Sequence, residues 1–463
     1  MCGISDFSLA IPSCYISIED FAKQKNLDYP KLRFGLGLEK MSVLDADEDI
    51  ITLAADALID LLSKNPQVNF TNLKRLYVGT ESQIDGSKPI ASYILGISNQ
   101  YFRSKDLPAI EECDVTDLVF ACIGAVDALE NCLLWLKQNP NDYAIVIATD
   151  QAKYNFNSTG EYTQGAGAVA MLLSSKPSLL AINSNIGVSS VCAHDFFKPL
   201  RNIKSYNYIE QTQLAQANGD HNNEYSYLQL HSDCPVYDGP YSNQSYKDRI
   251  QSAYSSFKKK HPKFSIKKWD RMIFHLPYAF QARKVAVPFF LERLESLGEK
   301  NYFLKKHNLD ECTQVSQLDK LIRKTSEYQE FVNSQIADGE IASGQVGNIY
   351  SGSIFLSIMS MLYYSYQKDK QLSEHTIGLI AYGSGAKSKV LEATVKKGWQ
   401  NIVSQFNLQE KLDNRMKISF ETYKDHYFNK ATKASNPKEK NVLLYHIGIG
   451  ESNYGARNYK YMK

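Results

Sequence analysis

Three residues in this chain have side chains suited to covalent acyl transfer, and each falls where a strand-like run ends: Cys122, Glu81 and His275. Cys122 stands between the apolar run Leu118-Val-Phe-Ala and an apolar-periodic helix opening near Gly124. A helix N-terminus carries about half a positive charge and several unpaired N–H groups. This placement therefore predicts a thiol with a lowered pKa, beside amides able to hold a thioester oxygen under attack. Gly124, with no Cβ, predicts close approach of a ligand just past the sulfur. A cysteine thioester keeps its α-hydrogens acidic. A carboxylate such as Glu81 could remove one of them, and an imidazole such as His275 could polarise the carbonyl of a second substrate. Each residue also has an ordinary reading, as a buried core cysteine, a loop acid and a rim histidine. Linear spacing alone does not join positions 81, 122 and 275.

The elements that must position these side chains read as an α/β pattern. Ser17 caps a short helix with Asp20 at the box position, and Asp47 to Leu62 carries apolar residues at helical spacing. Lys74 to Gly79 is a short strand with the polar tip Thr80-Glu81-Ser82, a place where α/β proteins put chemistry. Tyr143 to Asp150 is a continuous apolar strand, as in a sheet covered on both faces, and Gln164 to Leu173 is another. Ser174-Ser-Lys-Pro177 predicts a boundary between halves at 1–175 and 176–463. The second half repeats the order: strand Trp269 to His275, helix Phe280 to Leu297, Gly347-Asn348 opening the helix Ser351 to Tyr366, and strand Thr376 to Gly385. Two halves running strand, reactive tip, helix, strand suggest an internal duplication. Residues 203–245, rich in Tyr, Asn, Gln and Ser, read as long loops inserted in the second half. Glu299 to Ser326 reads as a solvated helical segment, and Lys430 to Lys440 as an exposed loop.

Composition narrows the function classes. At 463 residues, two core-forming units are expected. With 52 basic and 50 acidic residues and no sustained basic stripe, nucleic acid is not an expected partner. The longest apolar stretch, around Ile354 to Tyr364, is broken by serines and too short to span a bilayer, so no membrane association is expected. The first residues lack the pattern of a secretory signal. The eight cysteines form no CxxC pair and have no histidine at ligand spacing. That argues against a zinc site or a disulfide framework and for free thiols in a reducing, cytoplasmic setting.

With these residues in place, the chain resembles the 3-hydroxy-3-methylglutaryl-CoA synthase family. The matching segments are Gly79-Thr-Glu81-Ser82 with Asp85 and Ser87-Lys88; Phe120-Ala-Cys122 with Gly124; Ala148-Thr-Asp150; Gln164-Gly-Ala-Gly-Ala-Val-Ala-Met171; Asp195-Phe-Phe-Lys-Pro199; Phe274-His275 with Pro277; Gly347-Asn-Ile-Tyr-Ser-Gly-Ser353; and Tyr382-Gly-Ser-Gly385. They occur in the family's order along nearly the whole chain. The resemblance implies a thiolase fold, two duplicated α/β halves layered αβαβα, working as a homodimer in the mevalonate pathway of isoprenoid biosynthesis. It implies an acyltransferase that takes acetyl-CoA and acetoacetyl-CoA and needs no cofactor or metal. Cys122 would be the acylated nucleophile, Glu81 the general base, and His275 the group that binds and polarises the acetoacetyl ketone. Asn348, with Ser353 close by, would bind substrate. Asp85, Asp150 and Asp195 match family acids that support the site. Arg283 and Lys284 fall where the family has basic residues near the CoA phosphates.

The chain also departs from the family pattern. After the nucleophile the family commonly has an aromatic residue and Gly-Gly-Thr, whereas this chain has Ile123-Gly124-Ala125-Val126-Asp127. A carboxylate facing the pocket would disfavour a thiolate, so Asp127 is expected on the far side of the helix. The family's lysine five residues past the histidine is Phe280. Three other readings remain open at this level. One is a β-branching synthase acting on β-ketoacyl groups held by an acyl carrier protein. Another is a ketosynthase built on Cys122, His275 and Asn348, which would have no use for Glu81. The third is a thiolase-fold protein that binds acyl-CoA without turnover.

Overall fold

The structure is a computed structural model describing residues 1–462 apart from 201–202, 205–226, 229–232, 310–314 and 437–439. Its frame is a ten-stranded sheet. In chain order the strands are β1 (Gly3–Ala10), β2 (Leu73–Gly79), β3 (Asp114–Leu118), β4 (Tyr143–Gln151), β5 (Ala166–Ser174), β6 (Leu180–Ile182), β7 (Gly187–Ser190), β8 (Trp269–Phe274), β9 (Thr376–Gly383) and β10 (Lys387–Val395). Across the sheet they lie β8-β9-β10-β6-β1-β5-β4-β2-β3, with β7 also pairing to β10. Strands β3, β2 and β4 are parallel, and β4, β5 and β1 alternate antiparallel. The other half repeats this: β8 and β9 are parallel, and β9, β10 and the β6/β7 pair are antiparallel.

Helices repeat with the strands. The first half carries α1 (Ile50–Lys64), α2 (Ile90–Ser104) and α3 (Gly124–Leu136), and the second half carries α4 (Gly239–Lys260), α5 (Val287–Leu297) and α6 (Ser353–Gln367). In the second half α4 precedes β8 as α1 precedes β2, and α6 precedes β9 as α3 precedes β4, but no strand of the sheet separates α5 from α6 as β3 separates α2 from α3. Side chains of a strand alternate faces, and β4 shows where each face goes. Ile145 and Ile147 enter a core with α1 and α2. Val146 and Ala148 enter another that holds α3, α6 and strand residues of the second half such as Leu379 and Leu391. A third core joins Met272, Phe274 and Ile380 to α4 and α5. The order is therefore α1/α2, sheet, α3/α6, sheet, α4/α5, the αβαβα layering of a thiolase fold. The α6 helix is apolar nearly all round because it is covered on every side, as a central layer must be.

Two close approaches in this frame need glycine. A Cβ on Gly124 would sit 2.4 Å from the Leu118 carbonyl oxygen, and one on Gly79 would sit 2.1 Å from the Ala125 nitrogen. The expectation that Gly124 admits a ligand is thus corrected, since what comes close is the end of β3.

Several segment readings are also corrected. The loop read over 203–245 ends early: α4 begins at Gly239, capped by Asp238, whose side chain accepts from Tyr241 N. Most of that loop lies outside the described residues, as does part of the 299–326 segment, which contains short helices at Lys300–Lys306 and Val315–Ile322. The single helix read from Phe280 to Leu297 is two, Gln281–Val285 and α5, with Pro288 in the first turn of the second. Lys440, read as part of an exposed loop, is 9% exposed at its side chain and pairs with Asp45, Asp47 and Glu48. Among the described residues the cysteines form no disulfide, and no helix is long and apolar enough to cross a membrane.

Candidate active site

The tips of both halves converge where α3 and α6 begin. Cys122 precedes α3, Asn348 and Ser351 precede α6, Glu81 follows β2, His275 follows β8, and Ser384 follows β9. The approach to Cys122 is strained: Ala121 has φ +39°, a left-handed conformation that costs a residue bearing a Cβ about 1 kcal/mol or more. Tyr350, on the opposing tip, has φ +43°.

Cys122 Sγ donates to Glu81 Oε1 at 3.3 Å. Burial, then the charges of Glu81 and Asp150, push the thiol pKa well above its ordinary value. The expectation of a lowered pKa is therefore overturned. The sulfur lies two residues ahead of the helix among Ala152 and Tyr350, and the nearest charged group to which it bonds is a carboxylate. Glu81 is itself raised from 4.5 to about 7, mainly by burial and opposed chiefly by Lys198. Near neutral pH Glu81 therefore divides between its two forms, and in the ionised one the pair is a thiol hydrogen-bonded to a carboxylate that can take its proton.

Cys122, His275 and Asn348 line one cavity of about 340 Å³, walled by Tyr154, Phe196, Tyr246, Tyr350 and Tyr382. His275 is 1% exposed, and among the described residues its Nδ1 has no hydrogen-bond partner. Burial lowers its pKa to about 3, so the ring is neutral at pH 7 and can offer a ligand an N–H donor without a cationic charge. Its main chain is held on both sides, by its N–H to Ile380 O at 2.9 Å and by Tyr246 OH donating to its carbonyl at 2.7 Å. Asn348 Oδ1 accepts from Tyr350 N at 2.9 Å and Ser353 Oγ at 3.0 Å. Its acceptor is thereby occupied and its amide NH₂ left for a ligand.

The remaining expected site residues divide. Ser353 is 1% exposed and is not on the cavity wall; it accepts from Ile349 N and donates to Asn348, so it reaches the cavity only by orienting that amide. Asp150, fully buried, ties the two halves together. Its Oδ1 accepts from Thr80 Oγ1 (2.9 Å), Glu81 N (2.8 Å) and Ser82 Oγ (2.9 Å), and its Oδ2 accepts from Ser351 N (3.0 Å) and Ser351 Oγ. Asp195 accepts from Tyr382 OH at 2.7 Å and Gly385 N at 2.8 Å, which fixes a wall of the cavity. Asp85 is exposed and accepts only from Ser87 and Lys88 N–H groups in its own turn, so the expectation that it supports the site is corrected. Arg283 is corrected too. Its guanidinium is held by buried Glu340, with Nη2 to Oε2 at 2.6 Å, and covers the Phe280 ring at 3.6 Å. Lys284 does reach the cavity, donating to Tyr278 OH at 3.1 Å, and burial with the charges of Arg323 and Lys31 lowers its pKa.

The departures from the family pattern find their places. Ile123 packs beside Gly383, whose Cβ would meet it at 2.8 Å. Asp127 points away from the cavity to Lys387 at 2.5 Å and Lys389 at 2.6 Å on β10. Phe280 lies against Gly37, which has φ +76°. Sequence reasoning missed Lys198 and the aromatic wall. The Asp195-Phe-Phe-Lys198 segment was in view, but nothing in its spacing aims Lys198 at Glu81.

The comparisons with known proteins follow this geometry. The family model described as hydroxymethylglutaryl-coenzyme A synthase N terminal matches residues 1–178, and the one described as hydroxymethylglutaryl-coenzyme A synthase C terminal matches residues 210–441. The hydroxymethylglutaryl-CoA synthase of Enterococcus faecalis is 28% identical over 424 residues, covering 91% of this chain and 90% of that protein. That of Haloferax volcanii is 27% identical over 461 residues, covering 96% and 95%. Among solved structures, MvaS in complex with 3-hydroxy-3-methylglutaryl coenzyme A superposes with a TM-score of 0.79 at 26% identity, over 100% of this chain and 99% of that one. The HMG synthase of the curacin biosynthetic pathway in complex with an acetyl donor-ACP gives 0.73 at 19% identity over the full length of both chains, a likeness of fold. Matched in both halves by the family's own profiles, the chain belongs to the hydroxymethylglutaryl-CoA synthase family.

Proposed function

We propose that the chain is an acyl-CoA condensing enzyme that transfers acetyl from acetyl-CoA to Cys122, joins it to acetoacetyl-CoA and releases hydroxymethylglutaryl-CoA. The observation that carries this reading is the 3.3 Å contact between Cys122 Sγ and Glu81 Oε1, beside a cavity walled by His275 and Asn348.

Each step follows from that arrangement. Glu81 takes the thiol proton as Sγ attacks the thioester carbonyl, and the departing CoA sulfur takes the proton back, leaving acetyl-Cys122. Glu81 then removes a methyl hydrogen from the acetyl group. The resulting enolate carbon forms a bond to the ketone carbon of acetoacetyl-CoA, whose oxygen is polarised by the neutral His275 ring and the Asn348 amide. The proton held by Glu81 passes to the new alkoxide. Water then cleaves the Cys122 thioester, giving a carboxylate and restoring the thiol. A carboxyl group with a pKa of about 7 suits a residue that both takes and returns protons near neutrality.

The division into halves at 1–175 and 176–463 is supported by the repeated strand order. A homodimer is supported by the open edge of the sheet at β3 and by Val119 and Leu200, 50% and 60% exposed, beside the site. CoA as the handle is supported by Lys284 at the cavity, with Lys31 and Arg323 near enough to act on it; the same cations would suit an acidic acyl carrier protein. A place in the cytoplasm and in mevalonate supply is consistent with this chemistry.

Incubation with acetyl-CoA followed by intact-mass measurement tests the proposal. A gain of one acetyl group, absent in Cys122→Ser, supports it. An unmodified wild-type mass overturns it in favour of acyl-CoA binding without turnover.

A further inference from the structure

Lys198 has no part in the steps above, yet it lies against Glu81, which takes the proton in the first of them. Its Nζ lies 3.8 Å from Glu81 Oε2 and 3.4 Å from the Glu81 carbonyl oxygen, and it sits over the Tyr350 ring at 4.5 Å. Its side chain is 13% exposed and that of Glu81 is 7% exposed, so water screens the pair weakly. The groups facing Glu81 are otherwise of one sign or neutral: Cys122 and Asp150, with the Tyr154 and Tyr350 hydroxyls behind them. Two carboxyl groups and a thiol thus share one enclosed place, and among the described residues Lys198 is the cation paired with Glu81, while Lys153 and Arg457, which line the neighbouring cavity, pair with Asp233 and Asp49. The lysine is anchored by Phe196 and Phe197 of its own segment, whose strand, Phe196–Phe197, pairs with Val236–Tyr237. It also lines a second cavity of about 720 Å³ on the other side of Glu81, which gives the ammonium group access to solvent.

We infer that Lys198 is a positioning residue that keeps the Glu81 carboxylate ionised and aimed at Cys122, so that the thiol proton has a base to go to near neutral pH. The inference rests on the reading of Cys122 and Glu81 as the reacting pair. It does not require Lys198 to touch substrate. Physically, a cation within about 4–6 Å of a carboxyl group favours its charged form by about 1–3 pKa units when both are enclosed. The same cation opposes the burial that raises both Glu81 and Cys122. Removing it therefore moves both groups further toward their protonated forms.

The test is the rate of Cys122 alkylation by iodoacetamide across pH, read by intact mass on the full chain. In this probe reaction the sulfur bonds to the reagent's CH₂ carbon, iodide leaves, and the thiol proton passes to Glu81 and then to water. For Lys198→Met the midpoint of the rate-pH curve is expected to rise by about one unit, making alkylation about tenfold slower at a pH below that midpoint. Lys198→Arg is expected to return the midpoint to that of the wild type, whatever it does to the maximal rate. Should Lys198→Met fail to fold, Lys198→Gln carries the same expectation. A midpoint unchanged in Lys198→Met or Lys198→Gln overturns the inference, as does an upward shift that Lys198→Arg shares, since a packing role alone would produce either result. The alkylation needs no acetyl-CoA. An enzyme that fails to acetylate but shows the Lys198 shift would refute the proposed function and leave this inference standing.

Discussion

Asp150 offers the sharpest way to ask whether the convergence of the two halves is a matter of hydrogen bonding. Consider Asp150→Asn and Asp150→Ala side by side. In the asparagine variant one carboxylate oxygen becomes an NH₂. The side chain keeps most contacts by turning its oxygen toward Thr80 Oγ1, Glu81 N and Ser82 Oγ, and its NH₂ toward Ser351. Ser351 Oγ, whose one proton Asp150 Oδ2 and Gly79 O compete for in the wild type, can then accept from that NH₂ and donate to Gly79 O, 2.8 Å away. One buried donor, Ser351 N–H, loses its acceptor, a cost of about 2 kcal/mol. In the alanine variant the Glu81 and Ser351 N–H groups and the Thr80 hydroxyl all lose theirs, for a total of about 5 kcal/mol. Urea unfolding should therefore rank wild type, Asn and Ala in that order, with the second step the larger. The asparagine variant has a further signature. The Asp150 charge pushes Glu81 upward, so its removal should move the acid limb of the activity-pH profile to lower pH. Equal losses in the two variants, or an asparagine variant as stable as wild type, would refute the account of Asp150 as the tie between halves.

Two other expectations follow from the same geometry. Glu81 has its pKa raised from 4.5 to about 7, so the stability linked to its proton is fully present below 4.5 and is lost as pH rises through about 7; the difference in urea midpoint between pH about 5 and pH about 8 should shrink in Glu81→Gln. Arg283→Met should destabilise the fold by about 3 kcal/mol, because it strands the Glu340 carboxylate, and leave KM for acetyl-CoA unchanged, whereas Lys284→Met should raise KM with little loss of stability.

What was legible in the sequence, and what was not, has a physical pattern. The strands Leu73–Gly79, Tyr143–Gln151 and Thr376–Gly383 were readable because strands buried on both faces are written as unbroken apolar runs. Glu81 follows the first of these, and His275 follows the similarly apolar Trp269–Phe274. The duplication was visible as an order of elements, but its confirmation needed the pairing directions, which no linear pattern contains. Protonation was misread, because the helix N-terminus beside Cys122 is a local feature, whereas Glu81 and Asp150 come from 41 residues upstream and from another strand. Arg283 was assigned to an anion for the same reason, since its partner Glu340 lies 57 residues away. The helix Gly239–Lys260 escaped notice because its polar, tyrosine-rich composition hides an apolar stripe of Tyr246, Ile250, Ala253, Tyr254 and Phe257.

The joining of β1 to β6 sets a timetable for synthesis. Gly3 and Ile4 pair with Ala181 and Leu180, made well after them, and β6 in turn pairs with Ala393 to Val395 on β10. A growing chain that stops short of residue 269 therefore already carries the sulfur and its carboxylate but has no imidazole wall to close over them. The thiol goes without that wall until the second set of strand tips has been made, and a protein cut between its halves would have to find its other part before its cavity could form.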